Sequence, residues 1–312
     1  MPKLYIDEFV GITNRLETLS LAFAIRKAYG HEIILDWHEL DSFSVEETSR
    51  GKVRVLARLG AIRFRNNDGP LFGTLAGKKI ILRAPEPAGL SEILDPIYLD
   101  VAARIHLDGY LADEIRALFA KVANRPVIGV HIRHGDFRVV DESRYDMTGT
   151  EWPAVPLWWY EKTMAAIVSK EKDACFYLSC TGDPGSYESL HKNFDLLTLQ
   201  VESPYGYKNA SNDHRSTAHP IGDLFALACC PVVLATPISG YSHWAANVLG
   251  APATCIVPLP GATPDKPAMG VLRLYGRRLP DWRAAGRSGS AERVSADLEG
   301  VDLTQGAVTD WL

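Results

Sequence analysis

The stretch GVHIRHGD, residues 129–136, is where this sequence is best equipped to do chemistry: an apolar run ends in two histidines, an arginine and a carboxylate. An arginine fork makes bidentate, charge-assisted hydrogen bonds to phosphate and stays ionised at any working pH. In an alternating strand His131 and Arg133 project to the same side. The spacing predicts a phosphate or diphosphate site at Arg133, with a strand-end ion pair between Arg133 and Asp136 as the alternative.

A second cluster begins with Pro220, Ile221, Gly222 and Asp223 opening a helix, runs through the apolar stretch PVVLAT, and continues with Ser239, Gly240, Tyr241 and Ser242. Strand, small polar loop and helix start together form the geometry in which free backbone N–H groups meet phosphate. A serine there also serves as a plain helix cap. Near the N-terminus, GITNR (11–15) opens a long first helix, as a cap and turn or as a place where Asn14 and Arg15 line a cleft.

The elements that must hold these clusters recur regularly. Short β-branched runs (31–37, 78–83, 125–133, 174–180, 231–236 and 253–258) alternate with amphipathic segments near 13–29, 110–123, 158–169, 184–193, 220–229 and 241–249. That alternation predicts an α/β protein with parallel sheets covered on both faces. Ligands in such sheets bind beyond the carboxyl ends of the strands, where the Arg133 cluster falls. At 312 residues the chain is long enough for two domains. The polar segment Ala123–Pro126 suggests units of 1–124 and 125–280, with 281–312 as a surface tail. Residues 136–157 and 202–219 read as two long loops, and Trp152, Trp158, Trp159 and Tyr160 as rings that stack on sugar or begin a packed helix.

Composition removes several classes. A net charge of -5 gives no general attraction for nucleic acid or anionic membrane, although a local basic cluster still can hold a phosphate. No apolar run reaches the roughly 18 residues of a membrane span, and the start MPKLYIDEF lacks a signal peptide's apolar stretch, so a cytoplasmic protein is expected. The five cysteines read as reduced core residues. There is no GxGxxG and no properly spaced P-loop. Nor is there a DxD pair to hold a metal against a diphosphate, so protein cations must neutralise one.

Together the segments resemble the fucosyltransferase superfamily of α1,2, α1,6 and protein O-fucosyl enzymes, whose shared motif is HxRRxD. Here it reads His131, Arg133, His134 and Asp136, with flanks most similar to the α1,2 branch. GITNRL resembles the family's GxxNxL opening, GDLFALACCPVVLATPISGYSHWA its late motif, and DGYLADEIRALF (108–119) a segment of the α1,2 enzymes. The resemblance covers about residues 9–250 in order and implies a GT-B-like fold of two facing Rossmann-type domains.

It further implies a GDP-fucose donor and no metal; an inverting displacement is expected on that reading, and the lack of a signal peptide or membrane span points to a glycan or polysaccharide-precursor acceptor. Arg133 would bind the β-phosphate, with His131 and Asp223 placing the guanosine. Ser239, Gly240, Tyr241 and Ser242 would line the diphosphate, and Asn14 and Arg15 would face the donor from the other domain. A carboxylate on the loop beyond Arg133 (Asp136, Asp141 or Glu142) would take the acceptor's proton, with a solvated loop acid as the alternative. The departure is His134, where the family has a second arginine; its charge would come from a protonated imidazole, Arg138 or Arg15, or the donor differs. Two rivals stand beside this. Arg133-His134-Gly135 spells the tripeptide of histidine phosphatases, in which the histidine is the nucleophile, and a non-catalytic nucleotide- or glycan-binding relative would keep the fold without turnover.

Overall fold

The computed structural model describes residues 1–7, 10–83, 101–133, 144–147, 150–153, 155–180, 182–201, 219–236, 239–249, 253–259, 262–275, 290–295 and 297–309. The chain forms two compact units, the first drawing on residues 1–108 and the second on 109–283 and 289–312. Helix Gly109–Ala120 and the 124/125 junction thus both fall within the second unit.

In the first unit the strands are β1 (Lys3–Ile6), β2 (Glu32–Leu35), β3 (Phe43–Val45), β4 (Thr48–Arg50), β5 (Ile62–Phe64), β6 (Ile80–Leu82) and β7 (Ile105–Leu107). Five of them form a parallel sheet in the order β4-β2-β1-β6-β5, and β3 pairs antiparallel with β7. Helix Ile12–Tyr29 connects β1 to β2 and ends where Gly30 takes the left-handed conformation, φ 70°, so that its N–H reaches Arg26 O at 2.8 Å. A left-handed residue is cheap only without a Cβ, which makes this glycine the helix stop.

The second unit contains β8 (Val127–Ile132), a hairpin of β9 (Arg144–Met147) and β10 (Thr150–Pro153), and β11 (Cys175–Cys180), β12 (Leu196–Leu197), β13 (Val232–Leu234), β14 (Thr254–Pro258), β15 (Met269–Tyr275) and β16 (Ser290–Ser295). Its seven-stranded sheet runs β12-β11-β8-β13-β14-β15-β16, parallel except at the β14/β15 and β15/β16 pairs. On β8 the period of two is explicit. Ile128, Val130 and Ile132 join the core with Trp159, Tyr160, Met164 and Ile167 of helix Leu157–Lys170. On the opposite face a Cβ at Gly129 would lie 2.6 Å from Leu227 and 3.1 Å from Cys230, so the absent side chain lets helix Pro220–Ala228 pack close.

Trp159 and Tyr160 are core residues, which settles the sugar-stacking alternative against them. All five cysteines are buried and free, as expected. Residues 281–312 depart from the expected surface tail: β16 extends the sheet, and Val301 and Leu303 are buried in the main core, sites their apolar side chains fill at the expense of solvent contact.

Candidate functional site

Connectivity within the second sheet selects one crevice. From β8 the chain moves outward to β11 and β12, then returns to the other side of β8 for β13 and β14. The strand order therefore reverses between β8 and β13, and loops leaving adjacent strands in opposite directions open a ligand crevice at such a point. Arg133 follows β8 directly, and Thr236 and Ser239 follow β13.

Hydrogen bonds fix the backbone that leads to Arg133. Thr236 Oγ1 donates to His131 O at 2.6 Å and accepts from the Arg133 N–H at 3.3 Å. Tyr160 Oη donates to the same carbonyl at 3.0 Å and lies 3.0 Å from Thr236 Oγ1. With Tyr160 wholly buried, this side chain from the helix beneath the sheet anchors the last peptide of β8. The half-buried Arg133 is thus presented from a fixed base.

Ser242 joins that base to the next helix start. Its Oγ accepts from the Thr236 N–H at 3.1 Å and shares a 2.6 Å hydrogen bond with His131 Nδ1. The His131 ring stacks on Tyr241 at 4.9 Å between centroids and 24° between planes, and Tyr241 Oη donates to Pro220 O at 2.7 Å. Burial, and then the neighbouring Arg133 charge, push the His131 pKa down to about 3. The imidazole is neutral and acts as a hydrogen-bonding spacer, leaving the positive charge to Arg133.

Asp223 sits in the first turn of helix Pro220–Ala228, almost wholly buried. Burial raises its pKa to about 7, against the opposing 2.6 Å hydrogen bond that Tyr177 Oη donates to Oδ1. His219 caps this helix: its Nδ1 accepts from the Gly222 N–H at 3.0 Å, a role only the unprotonated ring can take, and burial holds its pKa low. Ser239 precedes helix Gly240–His243 without capping it, and its Oγ is buried with no hydrogen-bond partner among the described residues.

Of the residues singled out from sequence, His131, Arg133, Tyr241 and Ser242 are brought together, with Ser239, Gly240 and Asp223 on the adjoining helix starts. Asn14 and Arg15 belong to the first unit. There Arg15 is buried and makes two hydrogen bonds to Glu39, of 2.8 and 2.6 Å, with its guanidinium 5.4 Å from the Trp37 ring centroid. His134, Asp136, Asp141 and Glu142, with Gly135 and Arg138, lie outside the described residues. Sequence reasoning missed Thr236, Tyr160, Tyr177 and His219 as parts of this network. For Thr236 a signal existed, a lone hydroxyl ending the strand PVVLA; for the tyrosines there was none, since only the fold brings residues 160 and 177 beside 131 and 223.

No protein-family model matches the chain, and no curated protein does. Solved structures share its fold. The fucosyltransferase NodZ from Bradyrhizobium is 14% identical, with a TM-score of 0.51 and coverage of 84% of this chain and 96% of that one. POFUT1 in complex with GDP is 9% identical, with a TM-score of 0.52 and coverage of 78% and 93%. A mutant of FUT1 from Arabidopsis thaliana in complex with GDP is 13% identical, with a TM-score of 0.50 and coverage of 88% and 74%. The chain has the α/β, GT-B-like fold of these fucosyltransferase structures.

Proposed function

We propose that this chain is an inverting, metal-independent glycosyltransferase that moves fucose or a related sugar from GDP-fucose to a hydroxyl of a glycan or polysaccharide precursor. One observation carries the reading: Arg133 leaves the central strand at the point of strand-order reversal, on a backbone held by Thr236 and Tyr160. The fold supports it, since NodZ structures were obtained with GDP and with GDP-fucose.

In the proposed complex Arg133 binds the β-phosphate and stabilises it as GDP departs, and the Ser239 hydroxyl with residues 240–242 lines the diphosphate. Because His131 and Ser242 satisfy each other, their part is to hold Tyr241 and the strand end in place beside the guanosine. Tyr177 occupies one oxygen of Asp223, leaving Oδ2 to accept from the guanine edge. Asp136 or Asp141 takes the acceptor's proton. The glycosidic C–O bond to GDP breaks as the acceptor oxygen bonds to the anomeric carbon. Reduced, buried cysteines suit a cytoplasmic enzyme.

Calorimetric titration of GDP in the presence of EDTA tests this directly. Wild-type protein binds, and Arg133→Ala weakens binding roughly 10- to 100-fold, as expected for charge-assisted bonds of about 1.5–3 kcal/mol. Equal affinity in the variant refutes the placement of the phosphate. Absence of GDP binding moves the reading to phosphohydrolase assays, where loss of all turnover in His134→Ala is the signature.

A further inference from the structure

A basic and apolar surface lies in the first unit, separate from the residues discussed so far. Residues 50–65 hold six Lys or Arg (Arg50, Lys52, Arg54, Arg58, Arg63 and Arg65) and no Asp or Glu, in a chain whose net charge is -5. Inside this segment the short helix Val55–Arg58 is built inside out. Ala57 and Ala61 pack with Val53 against Tyr5, Ile34 and Ile81 of the sheet, while Val55, Leu56 and Leu59 face outward at 75%, 76% and 61% exposure. These are three of the six large hydrophobic residues exposed among the described ones, within five consecutive positions. Scattered exposed leucines need no explanation, whereas a cluster of this kind marks a contact surface.

Its charges identify the partner. Arg50, Lys52 and Arg58 reach Asp41, Asp36 and Asp7, but Arg54, Arg63 and Lys78 pair with no carboxylate among the described residues. The Lys79 ammonium rests on the Leu56 and Leu59 carbonyls at 3.4 and 3.0 Å, which sets a positive charge beside the exposed leucines. Arg63 is exposed on β5, the edge strand of the sheet. A second copy of the chain would bring like charges together. A nucleic acid would match the charge but leave the leucines in water, with no aromatic ring in the exposed cluster to stack on bases. Exposed aliphatic side chains ringed by unpaired cations fit anionic lipid, whose headgroups neutralise the cations while the leucines enter the acyl boundary.

We infer that the face formed by Arg54, Val55, Leu56, Leu59, Arg63 and Lys78 docks the protein on an anionic membrane surface. Among the described residues no helix is long and apolar enough to cross a membrane, so the association is peripheral. Co-sedimentation of the full chain with vesicles tests it. Vesicles in which about one third of the lipid is phosphatidylglycerol take the protein down, and pure phosphatidylcholine vesicles do not. Leu56→Asp with Leu59→Asp, and separately Arg54→Gln with Arg63→Gln, each lower the affinity about tenfold or more, and added salt weakens the wild type. No sedimentation with anionic vesicles overturns the inference, as does unchanged binding by the leucine variant. Binding of single-stranded RNA that needs the arginines but not the leucines reassigns the face to a polyanion. Both variants keep wild-type GDP affinity and circular dichroism, so failure here is distinguishable from failure of the donor site.

Discussion

The two units finish their parallel sheets in contrasting ways. At the strand ends of the first, polar groups are satisfied by charge: Arg15 with Glu39, Asp7 with Arg83 and Arg58, and Asp36 with Lys52 and the Val53 N–H. At the strand ends of the second, His131, Ser242, Thr236, Tyr160 and Tyr177 are joined by neutral hydrogen bonds around Arg133 and the weakly acidic Asp223. Opposed charges compensate one another and project little field. The neutral hydrogen bonds of the second network add no charge of their own beside the Arg133 guanidinium.

The contrast is broken most severely by Glu39→Ala. It strands the buried Arg15 charge and costs about 3–5 kcal/mol in urea unfolding, whereas replacing Arg15 and Glu39 together with leucine recovers most of the loss. Ser242→Ala, which leaves His131 Nδ1 and the Thr236 N–H unpaired, costs about 1–3 kcal/mol, and that cost does not depend on salt. A loss that falls with ionic strength would mean that the second network is not neutral after all.

Acid and base distinguish the units by sign. Burial pushes the Glu39 carboxyl up, but the hydrogen bonds and charge of Arg15 outweigh it and hold the pKa below its ordinary 4.5. Its contribution is therefore complete above 4.5 and disappears as the pH falls through the lowered value. Asp223, raised from 3.8 to about 7 by burial, behaves oppositely: its contribution is complete below 3.8 and is lost as the pH rises through about 7. Asp223→Asn should flatten stability between those limits. If the ionised form accepts from guanine, GDP affinity in the wild type rises with a midpoint near pH 7, and the variant shows no such rise. The smallest effect belongs to the exposed Arg50–Asp41 pair, where Arg50→Ala changes stability by less than about 1 kcal/mol.

Much of this was legible in the residues. Every apolar run named from sequence contains a strand (β2, β6, β8, β11, β13 and β14), because these segments are buried on both faces and read as continuous β-branched stretches. Short edge strands such as β4 and β5, and the antiparallel β15 and β16, were not foreseen, since three-residue runs such as TSR and IRF are too short to show a period and the polar SAERVS of β16 shows none. Helix 241–249 was expected as one regular element; its first turn is α-helical and Trp244–Leu249 adopts the wider π form. Of the strand-end network, His131, Tyr241 and Ser242 were singled out from local motifs, as was Arg133 beside it. Thr236, Tyr160 and Tyr177 were not, because hydrogen bonds spanning 29 to 105 positions are made by topology.

The vacancy at Gly129 works as a ruler. It sets how near the helix bearing Asp223 can come to the strand leading to Arg133, and so fixes the span between the two residues proposed to meet the guanine edge and the phosphate. Adding one methyl group there would alter neither residue, yet it would press on Leu227 and Cys230 and lift one end of the gauge off the other.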